Sequence, residues 1–148
     1  MNGMAKHQPC ELSCRLNSAC DCIHILRSLV EVMGARVGMG DVQTNRMVLA
    51  VDELFANINK HGYKGDTGTI EVSATLADDA ISFVFRDHAP PIENSDDLQG
   101  RDIEHVRPGG LGLHLIDAVM DEFHHEVLSD GNRWVLVRYL NGEDLNED

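Results

Sequence analysis

Hydrophobic residues recur with the period of an α-helix, about 3.6 residues, in three segments of the chain. The predicted helices run from a cap at Asn17 or Ser18 to Gly38 or Gly40, from a cap at Asp41 to about His61, and from Leu111 to Phe123. Gly62 follows the second helix and is expected to stop it. Each segment has one apolar face, so each helix is expected to pack against a sheet or another helix.

The period changes to two in the other regular segments, which predicts half-buried β-strands. The predicted strands are residues 11–16, Thr69 to Leu76, Ile81 to Asp87, Glu126 to Leu128 and Arg133 to Leu140. Short turns at Asp78-Asp79 and in residues 129–132 make both hairpins antiparallel. The order of elements predicts an α+β fold, a two-layer α/β sandwich with a mixed, mostly antiparallel sheet and its helices on one face.

The second predicted helix carries an unusual polar edge beside its apolar face. Glu53, Asn57 and His61 recur four residues apart, with Lys60 next to them, while Asp52 and Asn59 point outward. An amide oxygen suits Mg²⁺, and a carboxylate one turn away can orient or deprotonate a hydroxyl group. The spacing alone favours the simpler interpretation, which is a solvated helix edge.

Two other polar segments have spacings suited to ligands. Asp87 ends a strand and is followed by His88, Ala89, Pro90 and Pro91, so its carboxylate can accept a hydrogen bond from a ligand amine. A plain turn is the alternative. Residues 109–112, Gly-Gly-Leu-Gly, open the last helix and can cradle phosphates, or can serve as a hinge. The 21-residue polar stretch 88–108 lies between them and is expected to be functional or mobile.

Composition narrows the class of protein. The 148 residues suit a single domain, and 43% hydrophobic and 25% charged residues are ordinary for a globular protein. A net charge of −13 argues against direct nucleic-acid binding but leaves basic protein partners open. The chain has neither a continuous apolar run long enough for a membrane span nor a signal-peptide core at its start, so a cytoplasmic location is expected.

Four cysteines lie near the start of the chain, at Cys10, Cys14, Cys20 and Cys22. Their spacing lacks the paired C-x2-C of zinc ribbons and fingers. Buried or reduced structural thiols are the favoured interpretation, ahead of a metal site and of a regulatory disulfide.

The motifs, taken together and in order, resemble one superfamily. The helix AVDELFANINKHGY, the box RDHAPP, a variable lid and GGLGLHLID are similar to the ATP-binding domain shared by gyrase, ninety-kilodalton heat-shock chaperones, sensor histidine kinases and mismatch-repair ATPases. The small size and the phrase GGLGLHLIDAVMDEF most resemble bacterial anti-sigma factor serine kinases. The resemblance implies a Bergerat-type fold in one domain, 1–148, with a core of about 10–140, a lid of about 88–108, and ATP and Mg²⁺ as ligands.

The resemblance also implies roles for individual residues. Glu53 matches the catalytic base and Asn57 the Mg²⁺ ligand, and Asp87 matches the carboxylate that reads adenine. The other implied nucleotide contacts are Lys60, His61, Ala89, Pro91, Arg107, Gly110, Leu111, Gly112 and Leu113. Two positions depart from the family pattern: Ala89 stands where the family has glycine, which requires a negative φ, and Arg107 is offset by one residue.

The function that the resemblance implies is an ATP-dependent serine kinase that phosphorylates an anti-anti-sigma protein of the STAS type and sequesters a sigma factor, with homodimerisation suggested. A non-catalytic ATP-binding module acting only through protein binding is the alternative. A histidine-kinase fragment is disfavoured, since His24 lacks a second long helix beside it. A metallohydrolase using His124, His125 and Glu126 is weaker still, because neighbours on a strand point to opposite faces.

Overall fold

The computed structural model describes residues 8–18, 22–90 and 111–140. The described chain forms a five-stranded sheet with three α-helices. The elements in chain order are β1 (Cys10–Asn17), α1 (Ile23–Arg36), α2 (Asp41–Asn57), a π-helical turn (Ile58–Gly62), β2 (Thr69–Ala77), β3 (Ala80–Asp87), α3 (Leu111–Val119), β4 (Glu122–Leu128) and β5 (Gly131–Tyr139). This confirms the α+β class and the predicted order of elements.

Every pairing in the sheet is antiparallel, and the strand order is β1-β2-β3-β5-β4. The sequence predicts a mixed sheet, and this is wrong for the described residues, where the sheet is purely antiparallel. The central strand β3 pairs with β5 rather than with its nearer neighbour β4. This register places Asp87 opposite Asn132, and Phe85 opposite Trp134.

Alternation along the strands builds the core on one face of the sheet. The inward positions of β2 and β3 are at most 1% exposed; they are Ile70, Val72, Ala74, Leu76, Ile81, Phe83 and Phe85. The opposite face is half-buried and carries no helix packed on it among the described elements. Helix α2 packs against both α1 and α3, so it lies centrally in the helical layer. The polar edge of α2 is thereby fixed by packing on two sides.

The predicted ends of the first two helices are partly wrong. Helix α1 begins at Ile23, so neither Asn17 nor Ser18 caps it. Ser18 instead joins the start of β2 through two hydrogen bonds with Gly68. Ser18 N–H donates to the Gly68 carbonyl at 2.7 Å, and Gly68 N–H donates to Ser18 Oγ at 2.9 Å. Helix α2 begins with Asp41 as its first residue, so Asp41 is not the cap of this helix. Gly40, in an extended conformation, occupies the cap position.

The predicted stop at Gly62 is also wrong in its mechanism. Gly62 ends the π-helical turn, whereas the left-handed residues that turn the chain come later, at Lys64 (φ 54°) and Gly65 (φ 88°). Left-handed geometry costs little at glycine and more at lysine. The last helical residue is therefore the predicted Gly62, but the left-handed turn begins two residues later.

The last helix is shorter than predicted. Helix α3 ends at Val119, and Phe123 lies on β4, which starts at Glu122 instead of Glu126. The buried face of α3 consists of Leu113, Ile116 and Val119, whereas Leu115 is only half-buried. The apolar run continued across the helix end, so periodicity alone did not mark the boundary.

One cysteine and one polar residue of α2 differ from expectation. Cys22 is disulfide-bonded, so reduced thiols are wrong for that residue, whereas Cys10 and Cys14 are free. Burial raises the pKa of the Cys14 thiol. Asp52 does not point outward: its carboxylate accepts a bond from Arg27 Nε at 3.0 Å, which ties α2 to α1. None of the helices in the described residues is long and apolar enough to cross a membrane.

Candidate functional site

The predicted polar edge starts on the last two turns of α2. Asn57 Nδ2 donates to the backbone carbonyl of Glu53 at 2.8 Å, and both side chains are half-buried. Because the amide nitrogen is used by the helix, the side-chain oxygen of Asn57 is turned away from it. The result is an oriented amide oxygen one turn from a carboxylate, which is a geometry suited to a hard cation beside a proton acceptor.

Directly after Asn57 the helix widens into a π-helical turn. Tyr63 N–H donates to the carbonyl of Ile58, five residues back, at 3.0 Å. The stripe predicted from a continuous α-helix therefore does not extend regularly to Lys60 and His61, which are both exposed. Lys60 also lines an open groove of about 620 Å³ beyond the turn. Such single π turns recur at functional sites because they redirect side chains out of helical register.

The end of this turn contacts the end of β3. A Cβ built on Gly62 would lie 3.1 Å from the Cβ of Ala89, so glycine leaves the space that Ala89 fills. The hydroxyl of Tyr63 accepts a bond from His88 N–H at 2.9 Å and donates to the Thr69 carbonyl at 2.6 Å. Burial is the main reason that the pKa of Tyr63 is raised. These contacts fix the two predicted motifs next to each other.

Ala89 can replace the glycine of the family pattern only if its φ is negative, and the structure is consistent with this. The described non-glycine residues with positive φ are Lys64 and Asp78, so Ala89 does not adopt the left-handed region that favours glycine. Its N–H donates to Asp87 Oδ1 at 3.0 Å. The turn after β3 therefore forms without the glycine of the family pattern.

The carboxylate of Asp87 is 1% exposed and accepts three hydrogen bonds from the protein. Oδ1 accepts from Ala89 N–H at 3.0 Å and from Asn132 Nδ2 at 2.9 Å, and Oδ2 accepts from Trp134 Nε1 at 2.8 Å. Three N–H donors on one buried carboxylate hold it in one orientation. The site therefore presents a fixed negative acceptor at the end of β3.

The side chains that bond this carboxylate are themselves in contact with His125. His125 Nε2 lies 2.9 Å from Asn132 Oδ1, and the imidazole stacks on the Trp134 ring with centroids 3.9 Å apart. Desolvation lowers the pKa of His125, although the bond to Asn132 and the charge of Asp87 oppose this. A neutral imidazole therefore belongs to the same network as Asp87.

The backbone at Asp87 is also held in place. Gly131 has a φ of 149°, and a Cβ there would lie 2.0 Å from the Asp87 carbonyl oxygen, so no other residue fits. Arg86 donates to the same carbonyl and pairs with Asp130. The turn between β4 and β5 is thus clamped onto the end of β3.

The glycine motif lies at the edge of the described chain. Pro91, Arg107 and Gly110 fall outside the described residues. Leu111 and Gly112 form the first turn of α3. The Leu113 side chain is 1% exposed and belongs to the hydrophobic core, so a ligand contact from this residue would come from its backbone.

Sequence reasoning missed the side chains that donate to Asp87, which are Asn132 and Trp134, and also His125, which contacts both of them. Asn132 had been assigned to a tight turn and Trp134 to an apolar strand, and neither motif resembles a ligand site. Only the pairing of strands could have revealed these residues, because Asp87 lies opposite Asn132 once β3 is paired with β5. His125 in turn faces Trp134 across β4 and β5.

The family profile of the histidine kinase-like ATPase domain matches residues 16–139, which is most of the chain. This chain belongs to the histidine kinase-like ATPase family. The match includes α2, β3 and α3, which carry the three motifs, and the family relationship at this level implies ATP binding.

Several curated relatives of this ATPase domain are named serine-protein kinase RsbW. One from Bacillus cereus and one from Bacillus anthracis are each 26% identical over 151 residues, covering 93% of this chain and 90% of theirs. That of Bacillus thuringiensis is 25% identical over 148 residues with the same coverage. The predicted resemblance to anti-sigma factor kinases is confirmed.

A solved structure confirms the fold. A crystal structure of the RsbU and RsbW domains of a Mycobacterium tuberculosis protein matches with a TM-score of 0.63 at 21% identity. The match covers 88% of this chain and 32% of that longer chain. The two-layer arrangement of this ATPase domain is therefore the one found in that protein.

Proposed function

We propose that this protein is an Mg²⁺- and ATP-dependent serine kinase that phosphorylates an anti-anti-sigma protein of the STAS type and sequesters a sigma factor. The family match and the RsbW relatives support an anti-sigma kinase role at family level. The observation that carries the assignment to these residues is the oriented Asn57 amide beside Glu53, on a helix that contacts the Asp87 turn.

Asp87 is the base-reading group in this proposal. An ionised carboxylate is acceptor-only, so it complements the amino group of adenine and not the carbonyl group of guanine. Ala89 and Pro91 follow it in the same turn and would contact the nucleobase. Its burial at 1% exposure strengthens a bond to a ligand, because little water competes there.

Asn57 is the proposed Mg²⁺ ligand. Its side-chain oxygen is of the right chemical type, and the bond to the Glu53 carbonyl orients it. Within residues 8–18, 22–90 and 111–140 no group of three or more His, Cys, Asp and Glu side chains is placed to hold a metal ion. That fits Mg²⁺, which prefers one or two protein ligands together with waters and phosphates. When bound, the ion would neutralise charge on the phosphates.

Glu53 is the proposed catalytic residue. It lies one helical turn before Asn57 and is half-buried. Its role would be to accept the proton of the substrate serine hydroxyl as phosphate is transferred. Phosphoryl transfer depends mainly on positioning and charge neutralisation, so this group completes the site rather than dominating it.

The remaining proposed contacts are with the phosphates. Lys60 and His61 follow Asn57 on the π-helical turn, and the amides of Gly110, Leu111, Gly112 and Leu113 would meet phosphate oxygens at the start of α3. Arg107, in the proposed lid of about residues 88–108, would add a positive charge. We propose one domain for the whole chain, with homodimerisation as in the implied family.

One transfer experiment tests this proposal. The protein is incubated with Mg²⁺, labelled ATP and a STAS-domain antagonist, beside Asp87→Asn and the matched control Asp130→Asn, whose carboxylate is exposed and pairs with Arg86. A second control, Asp79→Asn, changes an exposed carboxylate in the turn between β2 and β3, away from the Asp87 network, whereas Asp130 pairs with Arg86 beside Asp87. We expect labelled serine with the wild type and with Asp79→Asn, and at least a tenfold weaker ATP affinity in Asp87→Asn. ATP binding without any transfer to the antagonist would instead support the non-catalytic binding module.

A further inference from the structure

We propose that His125 and Asn132 position the Asp87 carboxylate, and that this pair determines which nucleobase the site accepts. The inference rests on the proposed function, because it requires nucleotide to bind at Asp87. None of the predicted motifs contains either residue. Both belong to the hairpin of β4 and β5, which follows the helix α2, with Glu53 and Asn57, by more than 60 residues in the chain.

The orientation of the Asn132 amide follows from its two partners. Its Nδ2 lies 2.9 Å from Asp87 Oδ1, and an ionised carboxylate can only accept, so the nitrogen must be on that side. Its Oδ1 then faces His125 Nε2 at 2.9 Å and must receive a hydrogen. His125 therefore carries its proton on Nε2, and this donor prevents the amide from turning over.

The other imidazole nitrogen supports the same tautomer. His125 Nδ1 is buried and has no hydrogen-bond partner among the residues that the structure describes. A bare Nδ1 leaves an acceptor unpaired, whereas an N–H there would leave a buried donor unpaired and Asn132 Oδ1 without its donor. Burial lowers the pKa of His125 below its ordinary value of 6.5, which favours the neutral ring.

The network determines where a ligand can bind. A carboxylate offers about four acceptor positions. Ala89 and Asn132 occupy Oδ1, and Trp134 Nε1 takes one position on Oδ2 at 2.8 Å. The position that remains is on Oδ2, and it accepts a donor such as the amino group of adenine. The carbonyl oxygen at the equivalent position of guanine would meet negative charge there.

Loss of the His125 donor would remove this selectivity. Asn132 Oδ1 would then be a buried acceptor without a donor, and the amide would be held from the Asp87 side alone. An Asn132 that is held less firmly would let the Asp87 carboxylate turn away from the ligand. A carboxylate that can turn away would repel the guanine carbonyl less, so discrimination between the two bases would fall.

Matched substitutions at His125 provide the test. His125→Phe keeps an aromatic ring stacked on Trp134 but has no donor, whereas His125→Gln places an N–H close to the position of Nε2. His124→Phe, on the exposed face of the same strand, is the control. Dissociation constants for ATP and for GTP are measured by calorimetry at one salt concentration, with thermal melting to verify folding.

We expect the ratio of ATP to GTP affinity to fall about tenfold in His125→Phe, to stay within about threefold of wild type in His125→Gln, and to be unchanged in His124→Phe. A folded His125→Phe that keeps the wild-type ratio overturns this inference and leaves the proposed function intact. Wild-type protein that binds no ATP overturns both.

Nitrogen NMR of the wild type provides a test that requires no variant. The histidine ring shifts are expected to show His125 protonated at Nε2 and bare at Nδ1 near neutral pH. A ring protonated at Nδ1 alone would overturn the inference, because Asn132 would then receive no hydrogen from His125.

Discussion

The two ends of the candidate site are built differently. At the proposed base-binding end, Asp87 is buried and accepts three hydrogen bonds from the protein, and His125 and Gly131 contact the residues that hold it. At the phosphate end, Asn57 makes one described bond to the helix, Glu53 is half-buried, and Lys60 is exposed. The Asp87 carboxylate is thus held in place by the protein alone, whereas the side chains of Glu53 and Lys60 are at least partly accessible to a ligand.

The difference matches two separate tasks. Recognising a base requires a fixed acceptor, since a mobile carboxylate could adapt to the wrong partner. Transferring a phosphate requires groups that bind the cation, the phosphates and the substrate hydroxyl once these are present. The contact between Gly62 and Ala89 joins the two ends, so their relative position is set by packing.

The largest expected effect is on transfer through Glu53. Glu53→Gln removes the proton acceptor and keeps the size of the side chain, so we expect phosphotransfer to fall about 100-fold or more while ATP affinity changes little. Single-turnover transfer of labelled phosphate measures it, with Glu31→Gln on the exposed side of α1 as the control. Unchanged transfer would remove Glu53 from the role of base.

A smaller effect is expected at Asn57. Asn57→Ala deletes the oriented amide, so we expect affinity for Mg²⁺-ATP to fall about tenfold and affinity for ATP in EDTA to stay nearly constant. Titration calorimetry with and without Mg²⁺ measures both, and Asn45→Ala, exposed near the start of α2, is the control. Equal losses in both conditions would point to a helix-stabilising role instead.

The joint between the two ends is tested by Gly62. Gly62→Ala would bring a methyl group to 3.1 Å from the Ala89 Cβ, so we expect the free energy of unfolding to fall by about 1 kcal/mol. Denaturant titration measures this. The double variant with Ala89→Gly removes the crowding and should recover part of the loss. A double variant no more stable than the sum of the two single changes would refute the contact as the cause.

The smallest effect is the pH dependence of the base end. The pKa of His125 is lowered in the folded protein, chiefly by desolvation, so the unfolded chain binds a proton first as pH falls. Stability is therefore lost as pH falls from above 6.5 toward the lower folded value. We expect the free energy of unfolding to fall less steeply between about pH 7.5 and 5.5 in His125→Gln than in the wild type or in His124→Gln. Parallel slopes would contradict this.

The sequence predicted the elements well wherever one local period decided them. The alternation of Ile70, Val72, Ala74 and Leu76 predicted β2 because each of these side chains is individually buried. The spacing of polar residues singled out Glu53, Asn57 and Asp87, whereas their roles came from the resemblance and remain predictions. Periodicity failed where an apolar run crossed a boundary, as at Phe123, which follows α3 but belongs to β4.

Long-range contacts account for most of what the sequence did not predict. Asn132 and Asp87 are 45 positions apart, so no local pattern could join them. The π-helical turn was equally hidden, because one extra residue in a helical turn leaves the order of apolar residues almost unchanged. Asp52 was misplaced for a similar reason: its partner Arg27 is on another helix.

The pairing of β3 with β5 has a consequence for how the protein acquires its activity. Chain synthesis delivers Glu53, Asn57 and Asp87 well before Asn132 and Trp134. Contacts between distant parts of a chain form late, because loop closure costs entropy before they can form. The proposed base site is therefore expected to be among the last parts of the molecule to form during folding. A fragment ending before β5 would contain the Glu53, Asn57 and Asp87 motif residues and still lack a base site.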